Sequence, residues 1–156
     1  MGQEHKFFLI SYEEYEEKGY DGYYSIDEDL SNIVVIYDDI IQYIGDTLAW
    51  IPSINPCNNH KKGFGINNYG ITLFDKEGAS VIVNIARAWA DLLSNGTGIL
   101  KLTGSYYWTT NDKGVSEGKY EMIEVNRDEL VKNFRKLQLF SEKVISGSYL
   151  MLHFGI

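Results

Sequence analysis

Residues 126–147, NRDELVKNFRKLQLFSEKVISG, constrain the fold more than any other stretch of the chain. Asn126 followed by Glu129 is a capping-box start. Leu130, Phe134, Leu137, Ser141 and Val144 then recur at three- and four-residue spacing, and Gly147 supplies the stop. A helix with one apolar face needs a surface to cover. The next residues, SYLMLHFGI, form an almost unbroken apolar run of strand type. Together they predict helices laid on a sheet.

The remaining elements follow from period and punctuation. HKFFLISY (5–12) predicts a short strand or an apolar anchor for the N-terminus, followed by one helical turn at 12–17. The segment EEYEEKGYDGYYSIDED holds two glycines, which argue against a continuous helix. Over 29–50, Leu30, Ile33, Val34, Tyr37, Ile41, Ile44 and Leu48 share one helical face, with Asn32, Val35, Asp39, Gln42 and Asp46 opposite. That pattern predicts a long helix, with Asp27 to Asp29 at its N-terminus and Pro52 ending it. GITLFDKEGASVIVNI predicts a hairpin about Asp75–Gly78, a strand to about 86, then a short helical piece up to Ser94-Asn95-Gly96. Residues 99–110 and 119–125 predict an antiparallel pair. The expected fold is one α+β domain over 1–156. Its mainly antiparallel sheet of about five strands is packed by two long helices, 29–50 and 126–146.

Charge is distributed unevenly. Residues 1–50 carry 12 Asp/Glu against 2 Lys, a balance of -10, while residues 51–156 carry 10 Asp/Glu against 12 Lys/Arg, or +2, for a total of -8. An acidic surface repels nucleic acid and anionic membranes and attracts basic partners. The aromatic share is 14%, with 12 tyrosines, whose ring-plus-hydroxyl suits partner interfaces as well as half-buried sheet faces. The start has neither a signal-peptide pattern nor, at Lys6, the Ser or Thr of a myristoylation motif. No apolar run approaches a membrane span, and one cysteine makes no internal disulfide, so the chain reads as cytosolic.

Motifs of chemistry are weak. Cys57-x-x-His60 offers two zinc ligands where three or four are needed, and His5 and His153 lie far from it in sequence. A buried structural cysteine beside a loop histidine is the better reading. HKKGFG lacks the third glycine and the following helix of a phosphate loop, so Lys61 and Lys62 read as solvated loop charges. The stretch 53–70 reads as a helix-to-strand connection, its Cys57 facing inward. Asp27-Glu28-Asp29 misses the register of a calcium loop. Tyr106-Tyr107-Trp108 lacks a basic groove for stacking bases and fits a half-buried strand. No protease, hydrolase, kinase or deaminase signature is present. The chain therefore reads as a binding protein without cofactor or metal. A rival expectation is a small-molecule pocket or enzyme site between sheet and helices, lined by Cys57, His60 and Trp108.

The runs GYDGYYSIDEDLSN, INPCNNHKKGFGINNYGITLFD, ADLLSNG, LTGSYYW and LHFGI extend a resemblance over nearly the whole chain. It resembles small Bacillus-type immunity proteins of polymorphic bacterial toxin systems. The resemblance implies a cytoplasmic protein that binds and neutralises a cognate toxin domain, often a nuclease. Similar sequences are sometimes called coproporphyrinogen oxidases, but this chain is short for such an enzyme and shows no porphyrin or radical-cofactor motif. The expected partner is basic, with neither nucleic acid nor membrane involved, and the oligomeric state is open between monomer and weak dimer. The candidate contact residues are Glu13, Glu14, Glu16, Glu17, Tyr20, Asp21 and Tyr23 in the first acidic segment, and Asp39, Gln42 and Asp46 on the 29–50 helix.

Overall fold

The computed structural model describes residues 2–20 and 30–156, so Asp21, Tyr23 and Asp27 to Asp29 lie outside the described residues. Among the described residues eight strands and five α-helices follow in chain order: β1 (Glu4–Ser11), α1 (Tyr12–Lys18), β2 (Ile33–Tyr37), α2 (Asp38–Tyr43), α3 (Gly45–Leu48), β3 (Pro52–Asn55), β4 (Lys61–Phe64), β5 (Ile71–Phe74), α4 (Lys76–Leu93), β6 (Ile99–Thr110), β7 (Ser116–Asn126), α5 (Arg127–Ser146) and β8 (Tyr149–Phe154). Six strands form one sheet in the order β2-β1-β8-β5-β3-β4, and β6 and β7 form a separate two-stranded ribbon. Every pairing is antiparallel. The α+β expectation holds, with six strands in the main sheet rather than about five.

The α5 region follows its sequence pattern. The Asn126 side chain accepts from the Glu129 amide at 3.0 Å, Leu130, Phe134, Leu137, Ser141 and Val144 are buried, and Gly147 ends the helix at φ 105. The second long helix is not 29–50. That stretch holds a short 3-10 turn, then β2, then the short α2 and α3. Ile33-Val34-Val35-Ile36-Tyr37 decides this, because four consecutive β-branched side chains are stiff in a helix and pack well on a pleated surface. A continuous apolar run also fits any helical template. Here its two sides face two different cores, Val34 and Ile36 one way and Ile33 and Val35 the other.

The second long helix is α4, where the sequence predicted a hairpin and strand. Asp75 is a helix cap rather than a turn residue, its carboxylate accepting from the amides of Glu77 (3.0 Å) and Gly78 (3.4 Å). The buried stripe Ala79, Ile82, Val83, Ala86, Ala90, Leu93 has helical spacing, but three of its members are alanines and add little to an apolar pattern. A Cβ at position 78 would collide with the Pro52 carbonyl oxygen, so Gly78 lets α4 begin directly against β3.

Alternation along β1 divides the protein into layers. Phe7 and Leu9 join the larger core, covered by α2 to α5, and Phe8 and Ile10 point into a second cluster with Ile71, Leu73, Leu150 and Leu152. Tyr15 and Tyr20 pack on that second cluster, which places α1 on the opposite side of the sheet from α2, α4 and α5. The stretch 53–70 is more than a connection, since β3 and β4 form a hairpin at the sheet edge. Its tip carries Cys57, which is exposed rather than inward-facing. The Asn55 side chain accepts from the Cys57 amide at 3.0 Å, and Asn59 and His60 take positive φ, which closes the turn with Pro56 buried and Cys57 to His60 exposed. No helix among the described residues is long and apolar enough to cross a membrane.

Candidate functional site

The expected acidic contact residues do not form one surface. Glu13, Glu16 and Glu17 are exposed on α1, and half-buried Glu14 pairs with Lys18 at 3.2 Å. Asp39, Gln42 and Asp46 are exposed on α2 and α3, whose buried sides (Ile40, Ile41, Ile44, Leu48) belong to the helix-covered core. The sheet separates the two sets. Asp39 and Gln42 instead line a cleft of about 310 Å³ between α2 and the β6–β7 ribbon, together with Tyr43, Thr103, Glu121 and Ile123.

Most of the ribbon is exposed. At its base Leu100 and Ile123 enter the core, with Leu102 and Val125 packed against it. Past a register shift between Thr103 and Tyr106, both strands run exposed. Pairing Tyr106 with Tyr120 and Thr103 with Met122 sets one face. On it Tyr106 (49%), Trp108 (67%), Tyr120 (63%) and Met122 (57%) are open to solvent. Tyr106 meets Trp108 edge-on at 5.7 Å and Tyr120 at 4.9 Å. On the reverse face Lys119 lies 5.4 Å from the Tyr107 ring. At the tip the Asn111 side chain accepts from the amides of Lys113 and Val115, both at 3.0 Å, which holds the turn.

Tyr106, Tyr107 and Trp108 are thus exposed, not part of a half-buried strand. A ribbon of two strands has no second layer to cover it, and isolated hairpins are marginal in water. A contiguous apolar patch on such an element marks an interaction surface. Sequence reasoning did not single out Tyr120, Met122 or Glu121. The available signal was compositional: between Leu102 and Val115 the chain has Tyr, Trp and Thr but no aliphatic side chain.

Elsewhere two histidines come together. His5 Nδ1 lies 2.8 Å from His153 Nε2, and His5 Nε2 lies 2.9 Å from Asp38 Oδ1, with both rings fully buried and nearly parallel at 16°. Gln42 donates to the other Asp38 oxygen, and the Asp38 amide donates to the Gln3 carbonyl at 2.8 Å. His153 Nδ1 has no hydrogen-bond partner. Burial first, and repulsion from a protonated His5 second, lower the pKa of His153 to about 3. His60 is not part of this cluster. It pairs with the Tyr15 hydroxyl at 2.9 Å, and Tyr15 is raised by burial and then by the nearby Cys57 charge. Among the described residues no group of three or more His, Cys, Asp or Glu side chains is arranged to hold a metal.

Three further clefts of about 240, 250 and 280 Å³ surround the β3–β4 hairpin and α3, and neither Cys57, His60 nor Trp108 lines any of the four. Set beside known proteins, the chain matches no family model, and no curated protein or solved structure matches it.

Proposed function

We propose that this is an immunity-type protein that binds and neutralises a cognate toxin domain, a basic one and often a nuclease, with the β6–β7 ribbon as its principal contact. The exposed face of Tyr106, Trp108, Tyr120 and Met122 carries this reading. Large aromatics and methionine are enriched where protein interfaces concentrate their binding free energy. The acidic groups act beside that face. Asp39 and Glu121 in the adjoining cleft suit lysine or arginine side chains, and the net charge of -8 speeds encounter with a basic partner. The contact surface is therefore placed on the ribbon and α2 rather than on α1. A cytoplasmic location goes with this role, since a toxin is neutralised where it is made.

Co-expression with the toxin domain encoded beside this gene tests the proposal. Growth should be rescued and the two chains should co-purify. The double substitution Trp108→Ala, Tyr120→Ala should weaken the complex by at least about thirtyfold, equivalent to ~2 kcal/mol. Absence of both rescue and co-purification with the unaltered protein sinks the reading. A complex that the double substitution leaves at full strength removes the ribbon from it.

A further inference from the structure

His5 and His153 are 148 positions apart in sequence and fully buried against each other. They lie on the helix-covered face of the sheet where β1 meets β8, Phe7 being the register partner of His153. We propose that this pair, capped by Asp38, is a proton-operated latch: with His153 neutral it ties β1 and α2 to β8, and acidification releases that seam. The inference is independent of the toxin-binding role.

The proton inventory explains why the latch resists a charge. The Asp38 carboxylate accepts from His5 Nε2–H, so His5 Nδ1 holds a lone pair and accepts from His153 Nε2–H. His153 Nδ1 is then a bare lone pair, buried and without a hydrogen-bond partner. A proton placed there creates a buried N–H and a buried positive charge with no acceptor. A proton placed on His5 Nδ1 opposes two N–H groups across 2.8 Å unless His153 shifts its own proton to Nδ1, which again strands a buried donor. Both routes carry the desolvation cost of an unsatisfied group.

The surroundings offer no relief. Phe7 packs on the His153 ring at 4.8 Å, β2 sets Ile36 opposite His5, and β5 sets Thr72 opposite His153. The Thr72 hydroxyl already accepts from the Asn67 amide at 2.8 Å. The helices α4 and α5 cover this face of the sheet with apolar side chains. The charged group bonded to the pair is Asp38 of α2, supported by Gln42.

The direction of the pH response follows. His153 falls from 6.5 to about 3 on folding, so the unfolded chain binds its proton more readily than the folded one. The stabilisation is complete above about pH 6.5 and is lost as pH falls toward 3, the folding constant dropping by up to about tenfold per pH unit.

Urea denaturation at pH 7 and pH 5, on the unaltered protein and on His153→Phe, reads the effect. The unaltered protein should lose about tenfold or more in folding constant beyond the loss of the variant, and amide exchange at Phe7 and Phe154 should quicken before exchange in α5. Equal losses in the two proteins overturn the latch. Should His153→Phe fail to fold, ring-nitrogen NMR of the unaltered protein decides. A neutral His153 protonated on Nε2 throughout the folded range upholds it, and a ring titrating near 6.5 in the folded state overturns it.

Discussion

Tyr106 lies across Gly118 of the opposing strand, filling the space where any larger residue would place its Cβ. The glycine is what allows the phenol to lie flat across the ribbon and meet Tyr120 on the same face. Gly118→Ala should therefore push the Tyr106 ring off the face. Only the far end of one exposed side chain has to move, so stability should change by less than about 1 kcal/mol. Partner binding should fall about tenfold, because the aromatic surface loses its centre. Thermal unfolding and a binding titration on the same preparation separate the two effects.

Exposure and burial should divide the aromatic residues sharply. Trp108→Ala and Tyr120→Ala should each leave the unfolding free energy from urea titration within about 0.5 kcal/mol of the parent value. Phe134→Ala, at 1% exposure on the buried face of α5, should cost about 3–5 kcal/mol. Denaturation monitored by circular dichroism avoids the loss of the Trp108 fluorescence signal.

Cys57 sits at the solvent-exposed tip of the β3–β4 hairpin. A thiol reagent such as a maleimide should label it fully in the native protein, without denaturant. Labelling should leave the unfolding temperature unchanged to within about 2 °C. Protection of the thiol until the protein unfolds would contradict this placement of the hairpin.

Asp38 satisfies a fully buried donor on His5. Asp38→Ala should cost about 1–3 kcal/mol by stranding that N–H, whereas Asp38→Asn, which keeps an acceptor oxygen, should cost distinctly less. Asp75→Ala removes a helix cap instead and should cost about 1 kcal/mol. Chemical denaturation of the three variants orders them.

The legible parts of the fold were those whose local signals agree. Asn126, the stripe from Leu130 to Val144, and Gly147 each point to the same helix, and α5 forms there. Residues 33–37 misled because a run apolar at every position matches a helical stripe and a doubly buried strand equally well, and only pairing with β1 decides between them. In α4 the alternation of Val81, Val83 and Ile85 competed with a helical stripe that rests largely on alanines. The candidate surface was partly legible. The aromatic run at 106–108 is visible in the sequence, but whether a strand has a second layer above it is a tertiary property. The partnership of His5 with His153 left no local trace at all, because it arises from strand order.

The order β2-β1-β8-β5-β3-β4 also sets a timetable. The seam between β1 and β8 joins residues more than 130 positions apart, so its loop-closure entropy is met only after α4, the ribbon and α5 have been threaded between them. During synthesis one edge of β1 can pair with the early β2, but its other edge must wait, and the nascent chain presents that open edge until β8 arrives. Productive folding in the cell is thus a contest between the arrival of one late strand and capture of an early one by the wrong edge.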